Sequence, residues 1–283
     1  MSTFDDSILL LGESGVGKTH YGAQLLRRLM KRDCRLRMNG QATNLEPFEA
    51  ALESLSEGKA ADHTATSIYV DSVWPVSQED GTSGQLIWPE YGGEQIKSMI
   101  ESRRVPDAWC TRVQQADSWM LMIRLQQTQL GDDVLSRPLS SLRKAAPENP
   151  ARQISDQARL IELLQMLIYV RGMSSARVRP VSPQLAVLLT CWDELGFEGT
   201  PSKALQVRLP MFWAFLSATW PAPTVMGLSA LGRPLNPHTS DSDYSSRGPE
   251  QFGFVVTPEG ERSHDLTWPI HLLLDKQTQQ EAD

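Results

Sequence analysis

A glycine-rich run near the start of the chain has the residue types that a phosphate chain requires. Residues 12–19, GESGVGKT, fit the spacing GxxxxGK[ST] at every defined position. Glycines accept positive φ, so successive backbone N–H groups can turn inward around phosphate oxygens. In that arrangement Lys18 would reach the β- and γ-phosphates, and the Thr19 hydroxyl would ligate Mg²⁺. The predicted nucleotide contacts come from Gly12, Glu13, Ser14, Gly15, Val16, Gly17, Lys18, Thr19 and, through its backbone position, His20.

The residues on either side supply the elements that this loop needs. Residues 8–11, ILLL, form a short apolar run that is typical of a buried strand. After the glycines, Leu25, Leu26, Leu29 and Met30 fall on one face of a helix. A helix that begins near Lys18 would add the positive end of its dipole to the phosphate site. The local order is therefore strand, loop and helix.

Further strands and helices are predicted to alternate along the chain. Strands are predicted at residues 67–74, 85–88, 118–125, 185–189, 224–228 and 252–256. Helices are predicted at residues 45–57, 153–170, 203–219 and 269–276. This order predicts a single α/β domain over residues 1–283, built as three layers around a mostly parallel central sheet with one antiparallel hairpin strand. Polar stretches predict an insertion loop at 128–152 and a flexible loop at 233–251.

The residues after the strand at 85–88 resemble a known γ-phosphate segment. Glu90-Tyr91-Gly92-Gly93 is similar to the DxxG segment of the translation-factor-like class of GTPases, and especially to the Asp-x-Gly-Gly-Gln stretch of heterotrimeric G-protein alpha subunits. The resemblance implies that Glu90 holds Mg²⁺ through water and that the Gly93 N–H touches the γ-phosphate. Glu94 stands where many members place the glutamine that orients the attacking water, and Gln95 follows it. Together with Lys18, these two residues are the catalytic candidates.

A guanine-recognition motif of the same class resembles the residues after the strand at 185–189. Thr190-Cys191-Trp192-Asp193 is similar to [NT]KxD. The Asp193 carboxylate could accept hydrogen bonds from guanine N1–H and the 2-amino group, a pair of donors that adenine lacks. Cys191 replaces the lysine whose aliphatic stem covers the base, and Trp192 is a candidate to stack there instead. The alternative interpretation of Asp193 is a helix N-cap after a strand.

Two further residue groups complete the pattern. Ser229-Ala230, after the strand at 224–228, resembles the [ST]A[LK] loop whose backbone N–H contacts guanine O6. A switch threonine that closes on Mg²⁺ is expected before the strand at 67–74. Thr64 and Thr66 are the candidates, and Thr66 is preferred because it directly precedes the strand.

The four motifs occur in the family order over residues 9–230, so the chain resembles a P-loop GTPase of the translation-factor-like (TRAFAC) class with a Ras-like fold. The stretches YGGE at 91–94, LTCWDEL at 189–195 and FGFVVTPEG at 252–260 are most similar to bacterial double-GTPase proteins of conflict or defence systems. This resemblance implies a GTP-hydrolysing switch that binds GTP or GDP with Mg²⁺. It also implies a partner that reads the Mg–GTP form, such as a second GTPase chain or a GAP-like protein.

Two alternatives remain open. The substitutions at Glu90, Cys191 and Glu94 favour a catalytically weak GTP-binding interaction module. The glycine-rich run would equally serve an ATP-dependent phosphotransferase, with a lid that carries Arg137 or Arg143. That interpretation leaves the Asp193 motif unexplained.

Composition narrows the class of protein further. The chain has 283 residues, 22% charged residues and a net charge of −7, which argues against a nucleic-acid or membrane-surface partner. Its apolar runs are too short for a membrane span. The polar start MSTFDDS lacks the features of a signal peptide, and three cysteines do not suggest a disulfide framework. These features predict a cytoplasmic protein.

Two sets of basic residues are expected on the surface of helices. A cluster between Arg27 and Arg37 is expected at the C-terminal end of a helix, where the dipole favours cations, although an acidic partner could also dock there. Arg103 and Arg104 follow the DxxG-like stretch. They are expected on a helix surface, with a contact from one of them to the γ-phosphate as the alternative.

Overall fold

A computed structural model describes residues 6–31, 34–61, 71–88, 94–129, 155–172 and 183–282 of the chain. In these ranges helices cover both faces of a nine-stranded sheet. The strands are β1 (Asp6–Gly12), β2 (Leu36–Met38), β3 (Ser72–Gln78), β4 (Ser83–Trp88), β5 (Ser118–Ile123), β6 (Gln184–Thr190), β7 (Thr224–Ser229), β8 (Phe254–Val256) and β9 (Arg262–Ser263). The helices are α1 (Lys18–Lys31), α2 (Glu46–Ser56), α3 (Glu94–Ser102), α4 (Asp107–Gln115), α5 (Asp156–Gly172), α6 (Pro201–Arg208), α7 (Pro210–Thr219), α8 (Ser242–Arg247) and α9 (Trp268–Ala282).

The sheet order places the end of β1 near the middle of one edge. The order is β2-β3-β4-β1-β5-β6-β7-β8-β9. From β4 to β7 the neighbouring strands pair in parallel, whereas β2, β3, β8 and β9 join through antiparallel pairs. The carboxyl ends of β4, β1, β5, β6 and β7 therefore share one edge, which is where ligands bind in open α/β sheets.

Alternate residues of β1 face opposite layers of the core. Leu9 and Leu11 pack toward helices α3 to α7, whereas Ile8 and Leu10 pack toward α1, α2 and α9. All four side chains are fully buried. A strand covered on both faces needs an unbroken apolar run, and this explains the sequence ILLL.

The predicted three-layer α/β fold is confirmed, with differences in detail that include the unpredicted elements β2, β9, α3 and α4. Antiparallel strands flank the parallel strands on both sides, whereas the sequence predicted one antiparallel hairpin strand. The predicted helix at 203–219 is two helices, α6 and α7, which meet at Leu209. Pro210 is the cause, because proline lacks an N–H and disfavours helical backbone in the residue before it.

The predicted loops have different outcomes. The segment 233–251, predicted as a flexible loop, contains α8, and its Tyr244 is fully buried beside Ala23, Ala51 and Leu55. Of the predicted insertion at 128–152, the described residues include only Thr128 and Gln129. None of the helices in the described ranges is long and apolar enough to cross a membrane.

Candidate functional site

The glycine-rich loop, residues 13–17, connects the end of β1 to the first residue of α1. Gly15 and Gly17 have φ values of 77° and 86°, which lie in the left-handed region that favours glycine. Apart from Gly17 and its two chain neighbours, no heavy atom of the described residues would lie within 4 Å of a Cβ built on Gly17. The loop therefore turns through left-handed glycines and keeps open space beside the N-terminus of α1, as a phosphate site requires.

Lys18 reaches back over this loop. Its Nζ atom donates hydrogen bonds to the carbonyl oxygens of Gly12 at 2.8 Å and Glu13 at 2.6 Å. Burial lowers the pKa of Lys18 to about 8, although the charge of Glu13 acts in the opposite direction. A polyanion in the loop would favour the charged form of this amine.

An ion pair that the sequence did not reveal covers one side of the loop. The Arg159 Nη2 atom, on α5, lies 2.7 Å from Glu13 Oε2 and 2.9 Å from Asp156 Oδ1. Burial raises the pKa of Glu13, and Arg159 acts in the opposite direction. Arg159 thus offsets the charge of a carboxylate that lies in the glycine-rich loop.

Thr19 and His20 lie in the first turn of α1. The His20 Nε2 atom accepts a hydrogen bond from the Ala61 backbone N–H at 3.0 Å. Burial, and then the charge of Arg124, lower the pKa of His20, so the neutral form is favoured. The His20 side chain therefore holds the segment after α2, which leaves its backbone as the predicted phosphate contact.

Several predicted metal and γ-phosphate residues lie outside the described residues. They are Thr64, Thr66, Glu90 and Gly93. Glu94 begins α3, and the Gln95 Oε1 atom accepts a hydrogen bond from Trp109 Nε1 at 3.4 Å. In this structure the Gln95 amide oxygen is thus directed to α4.

The predicted guanine-recognition residues follow β6 in a tight turn, residues 191–194, which we call the Asp193 turn. Cys191 has a φ of 50°, and residues Trp192–Glu194 form a single 3₁₀ turn. The Asp193 side chain is half-buried, and none of the described residues donates a hydrogen bond to its carboxylate. Beside it, the Thr190 Oγ1 atom is buried without a hydrogen-bond partner among those residues. Burial raises the pKa of the Cys191 thiol to about 12.

The Trp192 side chain, which was a candidate to stack on the base, lies in the core. It is 7% exposed and packs beneath the sheet edge. A Cβ built on Gly227 of β7 would lie 2.6 Å from the Trp192 ring. Because Gly227 leaves room for the indole, Trp192 anchors the Asp193 turn to the sheet.

The residues after β7 lie in a constrained loop at the same edge. The Ser229 Oγ atom accepts a hydrogen bond from the Gly232 N–H at 2.9 Å, and Ser229 is buried. A Cβ on Gly253 would lie 2.6 Å from the Ala230 carbonyl oxygen, so the loop packs closely on the chain before β8. Ser229 and Ala230 therefore lie at the same sheet edge as the Asp193 turn, one strand away.

Members of the two basic sets identified in the sequence make contacts within the chain. Arg28 is buried and donates to the carbonyls of Glu250 and Phe252, and Lys31 pairs with Glu250. Arg103 is 78% exposed and pairs with Glu162 at 2.7 Å.

Comparison with known proteins identifies the family. Residues 9–273 match the family described as Double-GTPase 1. The chain belongs to this family. Membership supports guanine-nucleotide binding by a GTPase switch in general, and confirms the predicted resemblance. No curated protein matches the chain.

Three solved structures of GTPases match the chain at low identity. The bacterial selenocysteine-specific elongation factor EF-Sec is 13% identical, with a TM-score of 0.38; the match covers 81% of this chain and 26% of that one. The signal recognition particle receptor SRb-GTP/SRX complex from Chaetomium thermophilum is 14% identical, with a TM-score of 0.40 and coverages of 83% and 94%. The Arl6 BBS3 small GTPase from Trypanosoma brucei is 10% identical, with a TM-score of 0.39 and coverages of 81% and 88%. At these values the likeness carries no inference about function.

Proposed function

We propose that this chain binds GTP with Mg²⁺ between the glycine-rich loop and the Asp193 turn, and hydrolyses it as a molecular switch. The observation that carries the proposal is the position of both segments at one sheet edge, after β1 and β6. These strands are two strand spacings apart, roughly 10 Å. A ribose with its diphosphate can span such a distance.

Recognition of the base is assigned to Asp193, with the backbone of Ser229 and Ala230 beside it. A half-buried carboxylate to which no described residue donates is suited to the paired donors of guanine. Adenine lacks the adjacent N1–H and 2-amino donors of guanine, and that difference is the source of the proposed selectivity.

Magnesium and hydrolysis are assigned to residues around the same loop. The Thr19 hydroxyl, in the first turn of α1, is an oxygen ligand of the kind that Mg²⁺ prefers. Thr66 and Glu90 would complete the metal contacts, and Glu94 or Gln95 would orient the attacking water. The bound ion would supply charge stabilisation for the transferred phosphoryl group.

A second candidate is a GTP-binding module with little hydrolysis of its own. The hydrogen bond between Gln95 and Trp109 favours it, because the amide must leave Trp109 before it can orient water. In both cases we propose that a partner protein, such as a second GTPase chain or a GAP-like protein of a bacterial conflict system, reads the ordered form. The basis for this partner is the sequence resemblance to double-GTPase proteins of conflict or defence systems, which the stretches at 91–94, 189–195 and 252–260 carry.

Titration with fluorescently labelled GTP and ATP tests the proposed base recognition. We expect GTP to bind more tightly than ATP, and Asp193→Ala to remove the preference. Glu198→Ala is the matched control, because it removes an exposed carboxylate outside the Asp193 turn. Equal or tighter binding of ATP by the unmodified chain would contradict the proposal.

Phosphate release under excess Mg²⁺ separates the switch from the weak module. Turnover that is abolished by Lys18→Ala supports hydrolysis by this chain. Tight GTP binding without turnover would instead favour the interaction module.

A further inference from the structure

Arg124 lies between the two halves of the proposed site. It is the first residue after β5, and β5 pairs with β1 on one side and β6 on the other. The end of β5 therefore opens between the glycine-rich loop and the Asp193 turn. The side chain of Arg124 is 25% exposed, so most of its surface is in contact with the protein.

The guanidinium group contacts both halves. Its Nε and Nη2 atoms donate to the two carboxylate oxygens of Glu194 at 3.0 and 2.6 Å. Its Nη1 atom donates to the Gly15 carbonyl oxygen at 3.4 Å, a longer and weaker contact. A two-point arginine–carboxylate pair fixes orientation as well as distance, so the third nitrogen is held toward the loop.

These contacts act on groups that would touch the nucleotide. Glu194 directly follows Asp193, so its attachment restricts the turn that carries the proposed base-reading carboxylate. The Gly15 carbonyl and the Val16 N–H belong to the same planar trans peptide group, in which they point in opposite directions. A contact that fixes the Gly15 carbonyl therefore also fixes the direction of the Val16 N–H. Arg124 thus constrains one proposed phosphate donor and one proposed base acceptor at the same time.

The charge of Arg124 also acts on residue 191, the position at which the recognition motif differs from the [NT]KxD pattern. Cys191 stands where the resemblance places a lysine. Burial raises the pKa of the Cys191 thiol, and the Arg124 charge is the main opposing influence. The guanidinium group is therefore close enough to act on residue 191 electrostatically, although it belongs to another strand.

We propose that Arg124 is the positioning residue that couples the glycine-rich loop to the Asp193 turn, and that it supplies from the end of β5 the cation missing at Cys191. This inference rests on the proposed binding of guanine nucleotide. It adds a residue outside the four sequence motifs to the site.

Four variants of the full chain test this role with labelled GDP and labelled ADP as probes. Arg124→Ala should weaken GDP binding about 10- to 100-fold, the range expected for lost charge-assisted hydrogen bonds. Arg103→Ala removes an arginine–glutamate pair that contacts neither segment, and should leave GDP affinity unchanged. Glu194→Gln should give a smaller loss than Arg124→Ala.

The combined variant Arg124→Ala/Cys191→Lys distinguishes the proposed role from a purely structural one, because a structural role of Arg124 would leave its GDP affinity as low as that of Arg124→Ala. A lysine at residue 191 should recover at least tenfold of the lost GDP affinity. Thermal unfolding of each nucleotide-free variant measures stability separately. If Arg124→Ala does not fold, Arg124→Gln, which keeps the stem and one donor group, replaces it with the same expected direction.

The outcomes distinguish this inference from the proposed function. GDP affinity in Arg124→Ala equal to that in Arg103→Ala would overturn the positioning role while the guanine preference of the unmodified chain stood. Failure of Cys191→Lys to restore affinity would overturn the supply of the missing cation. Absence of any preference for GDP over ADP in the unmodified chain would overturn both.

Discussion

Replacement of Lys18 by methionine should change how the stability of the nucleotide-free chain depends on pH. Burial lowers the pKa of Lys18 from 10.5 to about 8 in the folded chain. Above about pH 8 the folded chain holds fewer protons than the unfolded chain, so the free energy of unfolding rises with pH. Lys18→Met abolishes this contribution.

The expected size follows from the two pKa values. Between pH 7 and pH 9 the unmodified chain should gain about 1.3 kcal/mol of stability relative to Lys18→Met, because one proton is largely lost from the folded state only. The gain should continue until the amine of the unfolded chain also loses its proton, near pH 10.5.

Urea unfolding of both proteins at pH 7, 8 and 9, without nucleotide, measures this difference. Tyr21, Tyr244 and Cys191 have raised pKa values, and their titration reduces the stability of the folded chain at alkaline pH. These three residues are present in both proteins, so their effect cancels in the difference between the two unfolding free energies. A difference between the two proteins that does not vary with pH would refute the enclosed position of the Lys18 amine.

Three further predictions concern contacts beside the site and within the fold. Arg159→Ala should weaken GDP binding about tenfold, because it leaves the Glu13 carboxylate unpaired beside the phosphates. Adding Glu13→Gln to this variant should restore most of the affinity. Equal affinities of the single and double variants in labelled-GDP titrations would contradict this explanation. Gly227→Ala should lower the free energy of unfolding by about 1–3 kcal/mol in urea and reduce the preference for GDP over ADP, because the new Cβ would displace Trp192. An unchanged free energy of unfolding together with an unchanged preference would contradict the anchoring role of Trp192. Arg28→Met should cost about 2 kcal/mol of unfolding free energy, because the buried guanidinium is lost and the half-buried carbonyls of Glu250 and Phe252 lose a donor. A loss below about 0.5 kcal/mol in urea unfolding would argue against these contacts.

Local sequence signals were sufficient for the central part of the fold. The apolar run before Gly12, the left-handed glycines and the helix that begins at Lys18 are consecutive in the chain, so their pattern is visible without tertiary information. The strands before Cys191 and Ala230 are continuous and buried on both faces, and this also produces a local signal.

Contacts between distant residues could not be predicted in the same way. The pairs of Glu13 with Arg159 and of Arg124 with Glu194 join residues 146 and 70 positions apart. They follow from the strand order, which the sequence pattern does not specify. Trp192 illustrates the same limit, because its burial depends on the absence of a side chain at Gly227.

Two features of the secondary structure, the short strand β2 and the break between α6 and α7, were not predicted from the sequence. β2 spans Leu36–Met38, which is too short for a periodic pattern. The break between α6 and α7 did have a signal, because Pro210 lies inside the predicted helix.

A crystal structure of the chain with GDP and Mg²⁺ would test the central claim most directly. We predict that guanine N1–H and the 2-amino group donate to the Asp193 carboxylate, while the diphosphate accepts from backbone N–H groups of residues 13–19. A base bound elsewhere, with the Asp193 carboxylate directed into solvent, would contradict it.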